Sequence, residues 1–527
     1  MRRLDDVALL ARPGEMVAVI GASGAGKSTL LAVLAGLLSP TSGEGTVAGA
    51  DVRIPATERT RRIGTGRVGY VPQRDSLHGE LTVDQELRFA VELRHVTNGE
   101  ARIDEVLGAL GIDDLRPRRI RELSGGERKR VNVAVELLAA PDVLLLDEAT
   151  TGLDPGHERD LTRYLRTLAD AGIAIVVATH SVVYLEDYDR TLLLGTGGRA
   201  LFWGTPRAAL EAAGVSSFVD LFDLREPFGP VAAPETESGH PDQPSRPAPI
   251  PVGTVGVLVR RQLRRLVQDR RTLLFLALQA PVLGLMVRAI TGPDGLGLGA
   301  LSINLYARRV LLVLVLCAVW LGSIFAIREI VHDRGVLARE QVAGVTGRQV
   351  LAARLITLTL VTGVQVLILT LVGCAGLRTT TPQALLLVIV SLWLCAGAAG
   401  CLALAISALV RNTDQALAIL PLVLVPQIVL SGGVLSLADV PALRVISYVS
   451  PAKWGLSAVA SATHLREIET STVIAVPLSA SELSIARHED ADWGWDPTGA
   501  AWGTDLIILA GLCAAGAAVT GLGLRRA

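Results

Sequence analysis

Lysine is nearly missing from this chain of 527 residues: Lys27, Lys129 and Lys453 are the only three, and arginine supplies the rest of the basic charge. Charged residues make up only 19% and aromatics 4%. So low a charge content excludes a disordered chain. A net charge of −1 lacks the basic footprint that nucleic-acid binding leaves, so no nucleic-acid partner is expected. The five cysteines, Cys317, Cys374, Cys395, Cys401 and Cys513, sit in apolar runs without a CxxC pair, which indicates neither a disulfide framework nor a zinc site. A signal peptide is also absent: Met1–Arg3 is basic, but Asp5, Asp6 and Arg12 break the apolar run that would have to follow. What the chain has in excess is apolar surface, with 50% hydrophobic residues and a mean hydropathy of +0.45. A wholly soluble protein is therefore not expected.

The apolar excess is concentrated in one half. Residues 1–226 alternate short apolar runs (Met16–Gly21, Val68–Val71, Val143–Asp147, Ile173–Thr179, Leu192–Leu194) with helical patterns such as Lys27–Leu37 and Glu127–Ala139. Strand and helix in alternation point to an α/β domain with a mostly parallel sheet. Pro227–Pro251 then holds eight of the 25 prolines and reads as an extended linker. Over 252–272, Val255, Val259, Leu263, Leu266 and Val267 recur at helical spacing opposite Arg260, Arg261, Arg264 and Arg265, a helix suited to a membrane interface. Residues 273–527 offer six apolar stretches of spanning length, near Leu273–Ile290, Leu305–Ile327, Val350–Gly373, Ala384–Val410, Ala416–Val434 and Thr504–Leu524. The expected architecture is thus an α/β domain followed by an all-α transmembrane domain of six helices.

Arginine placement orients the spans. Arg270 and Arg271 precede the first; Arg328, Arg334, Arg339 and Arg348 occupy the second connection, Arg411 the fourth, and Arg525 and Arg526 the tail, whereas connections one and three hold only Arg378. Both termini are therefore expected in the cytoplasm of a cell-membrane protein, with 435–503 outward and its Trp454, Trp493, Trp495 and Trp502 at the interface. Gln279, Gln365 and Gln427 are the polar side chains that stand out within the spans. Gln365 or Gln427 could touch a substrate, or could simply bond neighbouring helices. No acidic residue lies mid-span, which argues against a proton-relay antiporter. The acidic stretch Arg487–Asp492 with Asp496 fits no metal-ligand spacing and reads as a solvated loop.

Chemistry is concentrated in the first half. Gly21-Ala22-Ser23-Gly24-Ala25-Gly26-Lys27-Ser28-Thr29 is a GxxxxGK[ST] phosphate loop between the strand Met16–Ile20 and a helix. Its glycines let successive backbone N–H groups turn inward around phosphates, and the helix N-terminus adds partial positive charge. Lys27 is the candidate to neutralise the β- and γ-phosphates of ATP, and Ser28 to ligand Mg²⁺. Val143-Leu144-Leu145-Leu146-Asp147-Glu148 is a buried strand ending in two carboxylates. Asp147 at its tip can reach the Mg²⁺ shell, while Glu148 points elsewhere and can polarise the attacking water as general base. Gly64-Thr65-Gly66-Arg67-Val68-Gly69 also matches GxGxxG, but it precedes a strand, which argues against a dinucleotide site.

A third element, Leu123-Ser124-Gly125-Gly126-Glu127 ahead of Arg128-Lys129-Arg130, makes the chain resemble the ABC transporters. In that family Ser124, Gly125 and Gly126 would close over the nucleotide of a second protomer, so that two chains sandwich two ATP molecules. The resemblance further implies that Gln73, after Val71-Pro72, touches Mg²⁺ or water and faces the membrane domain. It places Asp154 in the D-loop and His180 at the γ-phosphate. An ATPase ahead of six spans, with Thr150-Thr151-Gly152-Leu153-Asp154 after the carboxylates, is similar to G-subfamily half-transporters, which would put a coupling helix near Arg339-Glu340. Ala149 stands where a proline is frequent, and Glu127 where many relatives have glutamine. An adenine-stacking aromatic would fall at or before Met1: either the start is assigned too late and a first strand is missing, or adenine is held differently. The implied function is an ATP-hydrolysing half-transporter, with ATP and Mg²⁺ as cofactors. It would pair with a second copy or a paralogous half-transporter and export a lipophilic substrate (a lipid, drug or secondary metabolite) across the lipid bilayer. The alternative is an ATP-powered mechanical or signalling device that moves no cargo.

Overall fold

Val17, Val19 and Ile20 are β-branched and fully buried, and side chains alternate across a strand. Met16, Ala18 and Ile20 therefore join one apolar cluster, and Val17 and Val19 another. A strand apolar on both faces belongs inside a covered parallel sheet. The computed structural model describes residues 3–526 except 56–57, 59–66, 74, 149–154, 225, 229–252, 292–306, 375–381, 435–439 and 464–498. Asp154, the linker beyond 228, Gly64 and Gly66, and the acidic stretch 487–496 lie outside the described residues. Two units divide the chain: Met1–Arg265 with Gly335–Gln349, and Leu266–Arg334 with Val350–Ala527.

In the first unit the strands are β1 (Met16–Gly21), β2 (Thr46–Val47), β3 (Ala50–Asp51), β4 (Val68–Val71), β5 (Val143–Asp147), β6 (Ala174–Ala178), β7 (Arg190–Leu194) and β8 (Ala200–Gly204). Six of them form one sheet in the order β4-β5-β6-β1-β7-β8, parallel except for β8, and β2 and β3 pair separately. The helices are α1 (Lys27–Leu34), α2 (Val83–Arg94), α3 (Gly99–Leu110), α4 (Gly125–Leu137), α5 (Pro155–Asp170), α6 (Pro206–Ala213) and α7 (Thr254–Gln268). Reciprocal capping boxes fix the starts of α2 and α4, Thr82 with Gln85 and Ser124 with Glu127.

The second unit holds α8 (Arg270–Ile290), α9 (Ala307–Ala326), α11 (Gly347–Gly373), α12 (Pro382–Leu409), α13 (Thr413–Leu430), the short α14 (Pro441–Ser447) and α15 (Pro451–Ala462), and α16 (Gly499–Arg526). Between α9 and α11 lies α10 (Arg334–Val342), most of it in the first unit. Among the described residues six helices are long and apolar enough to cross a membrane, matching the six expected spans within a few residues. Lipid supplies no hydrophobic drive between helices, so close packing must hold them together. A Cβ on Gly322 of α9 would lie 2.0 Å from the Ala396 carbonyl oxygen of α12, so these two backbones touch.

Gln365 and Gln427, for which substrate contact and helix bonding both stood open, bond neighbouring elements of the bundle. Gln427 accepts hydrogen bonds from the Ser450 hydroxyl (2.7 Å) and the Ala452 amide (3.2 Å), anchoring the start of α15. Gln365 donates to the Leu276 carbonyl at 3.2 Å, tying α11 to α8. Arg354 of α11 pairs with Glu329 and Asp333. The last span runs Ala500–Leu524, four residues earlier than expected; Asp505, already near the start of the expected Thr504–Leu524, lies within it and is 4% exposed. Replacing Gly322 with leucine should cost about 1–3 kcal/mol or abolish folding, whereas Gly511→Leu, with open space around it, should not. Thermal melts of the two purified variants in detergent check this.

Candidate nucleotide site

The strand order turns sequence distance into proximity. Val71 pairs with Leu146, Asp147 with Ala178, and Ala178 with Val19, so β4, β5, β6 and β1 end side by side. The residues just beyond those ends are Gln73, Glu148, His180 and the loop after Gly21. A parallel α/β sheet binds its ligands at this carboxyl edge.

The loop from Gly21 to Gly26 turns through left-handed backbone at Gly24 and Gly26, and Gly26 ends it as the N-cap of α1. Gly26 has φ 100°, and a Cβ there would lie 2.6 Å from the Arg3 carbonyl oxygen, so no larger residue fits. Ala22, Ser23 and Ala25 complete the loop, and Thr29 lies in the first turn of α1. Lys27 is 5% exposed; its ammonium donates to the Gly21 carbonyl (2.8 Å) and the Ala22 carbonyl (3.2 Å). Burial lowers its pKa below the ordinary lysine value, with the Glu148 and Asp147 charges opposing. Ser28 donates to Asp147 at 3.0 Å. Burial raises the Asp147 pKa, the Ser28 hydrogen bond opposing and the Glu148 charge adding to the rise.

Glu148 sits between two donors. Gln73 donates its amide at 2.7 Å to one carboxylate oxygen, and His180 Nε2 lies 2.8 Å from the other. His180 Nε2 is also 3.1 Å from the Lys27 ammonium. One nitrogen cannot donate to a carboxylate and accept from an ammonium at once, so the pairing with Glu148 requires Nε2 to carry the proton. Glu148 has φ 53°, a left-handed conformation that costs a residue with a side chain free energy and is held by the Glu148 N–H bond to the Ala178 carbonyl (2.9 Å). Lys27, Ser28, Gln73, Asp147, Glu148 and His180 thus form one bonded constellation. Ser124, Gly125 and Gly126 do not join it: they form the N-terminus of α4, with Ser124 and Gly125 exposed.

Comparison with known proteins agrees with this geometry. Residues 4–151 match the ABC transporter family and residues 254–463 the ABC-2 type transporter family. The chain belongs to the ABC transporters. It is 33% identical over 536 residues to an ABC transporter ATP-binding/permease protein of Mycobacterium tuberculosis, covering 97% of this chain but 59% of that one. Partial matches include ABC transporter G family member 15 of Dictyostelium discoideum, 38% identical over 38% of this chain and 14% of the relative. A cobalamin import ATP-binding protein of Halobacterium salinarum is 37% identical over 48% of this chain and 64% of its own. This ABC transporter is a multi-pass membrane protein with a cytoplasmic ATPase domain.

Several residues of the transporter's first unit escape the motif reading. Lys129 of α4 donates to the Gln73 carbonyl at 2.8 Å, steadying the residue that holds Glu148. Ser76, three residues on from Gln73, donates to Asn132 of α4 at 2.9 Å. Around them lies a buried charge network. His78 Nδ1 lies 2.8 Å from Glu86, Arg339 of α10 donates to Glu86 at 2.9 Å, and Arg94 donates to Glu136 at 2.6 Å. Glu136 also accepts from the Tyr70 amide at 3.2 Å, and Arg261 pairs with Glu340. The expected solvent face of α7 therefore needs revision: Val257, Leu258, Arg261 and Gln262 are its buried side, and Arg265 reaches Glu80 at 3.2 Å. A signal did exist. Glu86 and Arg94 fall in the buried stripe of α2 with Val83, Leu87, Ala90 and Leu93, and a charge on a core stripe demands a partner.

Burial would raise the Glu86 pKa, but the His78 hydrogen bond and the Arg339 and Arg261 charges outweigh it and hold the carboxyl low. Burial lowers the His78 pKa; Glu86 opposes, while Arg261 and Arg265 add to the effect. His78 is thus neutral in the fold, whereas the unfolded chain takes up a proton below about pH 6.5. This contribution to stability is complete above that pH and is lost as pH falls toward the folded-state value. Melting temperature should therefore fall more steeply on acidification in wild type than in His78→Gln. Truncating Arg94 to alanine should cost about 3–5 kcal/mol by stranding the buried Glu136. Arg207→Ala, from an exposed pair with Glu186, should leave the melt unchanged.

Proposed function

We propose that the chain hydrolyses ATP at the carboxyl edge of the β4-β5-β6-β1 sheet and uses the work to export a lipophilic molecule, two copies acting together. The observation carrying this reading is the constellation in which Lys27 backs the phosphate loop, Ser28 meets Asp147, and Gln73 and His180 bracket Glu148. The loop amides and Lys27 bind the phosphates, the ammonium exchanging its two carbonyl partners for phosphate oxygens. Gln73 and His180 orient the Glu148 carboxylate, which accepts a proton from the attacking water. Ser28, Asp147 and Gln73 offer only oxygen ligands, the donor set that suits Mg²⁺. When bound, Mg²⁺ supplies charge neutralisation of the phosphates.

Stoichiometry and exposure support the pairing. Each chain carries one phosphate loop and six spans, half of a two-site sandwich. Ser124, Gly125 and Gly126 lie at a helix N-terminus outside their own chain's constellation, where a second protomer's nucleotide could meet them. The direction of transport and the cargo class rest on the domain order shared with G-subfamily half-transporters.

Glu148→Gln should leave ATP affinity intact and lower turnover by about 10²–10⁴-fold, the range of a lost general base. Lys27→Ala should weaken ATP binding itself. Equilibrium binding and phosphate release, measured on both variants, check the two roles; unchanged turnover in Glu148→Gln overturns the base assignment. In reconstituted vesicles, ATP-dependent movement of a lipid or dye supports export. ATPase activity without movement, stimulated only by a protein partner, would favour the mechanical device instead.

A further inference from the structure

Asp505 is a carboxylate with no counter-charge beside it among the described residues. It lies in the second turn of α16, inside the span, and accepts a hydrogen bond from Ser457 of α15. Its other oxygen, Oδ2, has no partner. Ser461 stands one helical turn beyond Ser457 on the same face of α15, its hydroxyl buried and equally unpartnered. The surroundings are apolar, with Leu456, Val459, Ala460 and Leu509 in the same buried cluster.

No element packed around this point supplies a cation among the described residues. Over Pro382–Leu409, α12 carries no charged side chain. On α15 the only one is Lys453, whose ammonium bonds the Ser447 hydroxyl at 2.8 Å and sits 4.0 Å from the Tyr448 ring centre. The charges of α9 are Arg308 and Arg309, at its first turn. An ionised carboxylate buried without compensation is very costly, so Asp505 must be matched by a bound positive charge. Metal cations of the hard, oxygen-seeking kind take about six ligands or more, and this site offers four side-chain oxygens. A proton needs only one.

We propose that Asp505, Ser457 and Ser461 form a proton-binding site at the outer end of the last span, beyond the nucleotide chemistry proposed above. One proton passes from water to an Asp505 oxygen and returns to water on release, with no other bond formed or broken. In the loaded form Ser457 still donates to one oxygen, and the acid O–H donates to Ser461, so loading tightens α15 against α16 and release loosens it.

Dicyclohexylcarbodiimide, an apolar reagent that couples to protonated carboxyls, tests this on the full chain in lipid nanodiscs, with labelled peptides read by mass spectrometry. Asp505 should be labelled, and the yield should fall about tenfold per pH unit on the alkaline side, the slope of a single proton. Ser461→Ala, which leaves the carboxyl in place, should shift the midpoint of that curve toward acid, and Asp505→Asn should abolish the label. Absence of labelling at Asp505 at every pH between about 5 and 9 overturns the proposal. So does a midpoint unmoved in Ser461→Ala, and so does protection by excess sodium at constant pH, which would assign the site to a metal cation.

Discussion

Parallel strand pairing is the constraint on which the nucleotide edge depends. Strands that run the same way end at the same edge, and β4, β5, β6 and β1 do so in consecutive positions. Gly21, Gln73, Glu148 and His180 come from points scattered over about the first third of the chain, yet hydrogen bonds link them. A slip of two residues in any one strand would move its terminal group by about 6.6 Å, well past hydrogen-bonding reach. The register is protected because the strands are apolar on both faces: a one-residue slip would exchange the side chains facing the two clusters that flank β1. Chemistry at the edge is therefore a consequence of burial at the centre.

A second constraint acts beneath that edge. Glu86 and Glu136 are buried, and neither would be tolerable without the guanidinium groups of Arg339 and Arg94. One of those arginines comes from a segment 253 residues away in sequence, so charge compensation holds Gly335–Gln349 in the ATPase unit. Arg339 also lies 3.5 Å from the Ser76 hydroxyl, three residues beyond Gln73, and 3.9 Å from Glu136 on the helix that begins with Ser124. The segment after Gln73 and the helix that begins with the signature motif are thus joined to Gly335–Gln349 through buried polar contacts. Such contacts cannot stretch without stranding a charge, which makes them stiffer connectors than apolar packing.

Local signals were legible and paired signals were not. The phosphate loop, the strand ending in Asp147 and Glu148, and the six spans each occupy one continuous stretch, so periodicity and spacing suffice to find them. The inward turn of Arg261 and Arg265 is different in kind. A helical wheel finds the apolar stripe of α7, but the choice of buried side was decided by Glu340 and Glu80, which the wheel does not contain. Lys129 was visible as a residue of the signature helix, but its bond to the Gln73 carbonyl depends on how α4 lies against the segment after β4. Gln427 likewise read as an isolated amide until Ser450 and Ala452 arrived from the far side of a turn.

The membrane half shows the same limit more sharply. Hydropathy treats spans as equivalent, since each need only be apolar for long enough. In the bundle they differ: α9 is largely buried and touches α12 backbone to backbone at Gly322, whereas α13 leaves Leu422 and Val425 exposed. Asp505 belongs to this difference. Near the edge of an apolar run, a carboxylate can be read as the last residue of a loop or the first polar residue of a helix, and hydropathy cannot distinguish the two. Packing can, because α15 places Ser457 and Ser461 on one face and no cation near them among the described residues. Both halves therefore follow one rule of burial: a charge inside must be matched. Arginines meet it in the ATPase unit, whereas no described residue does so at Asp505.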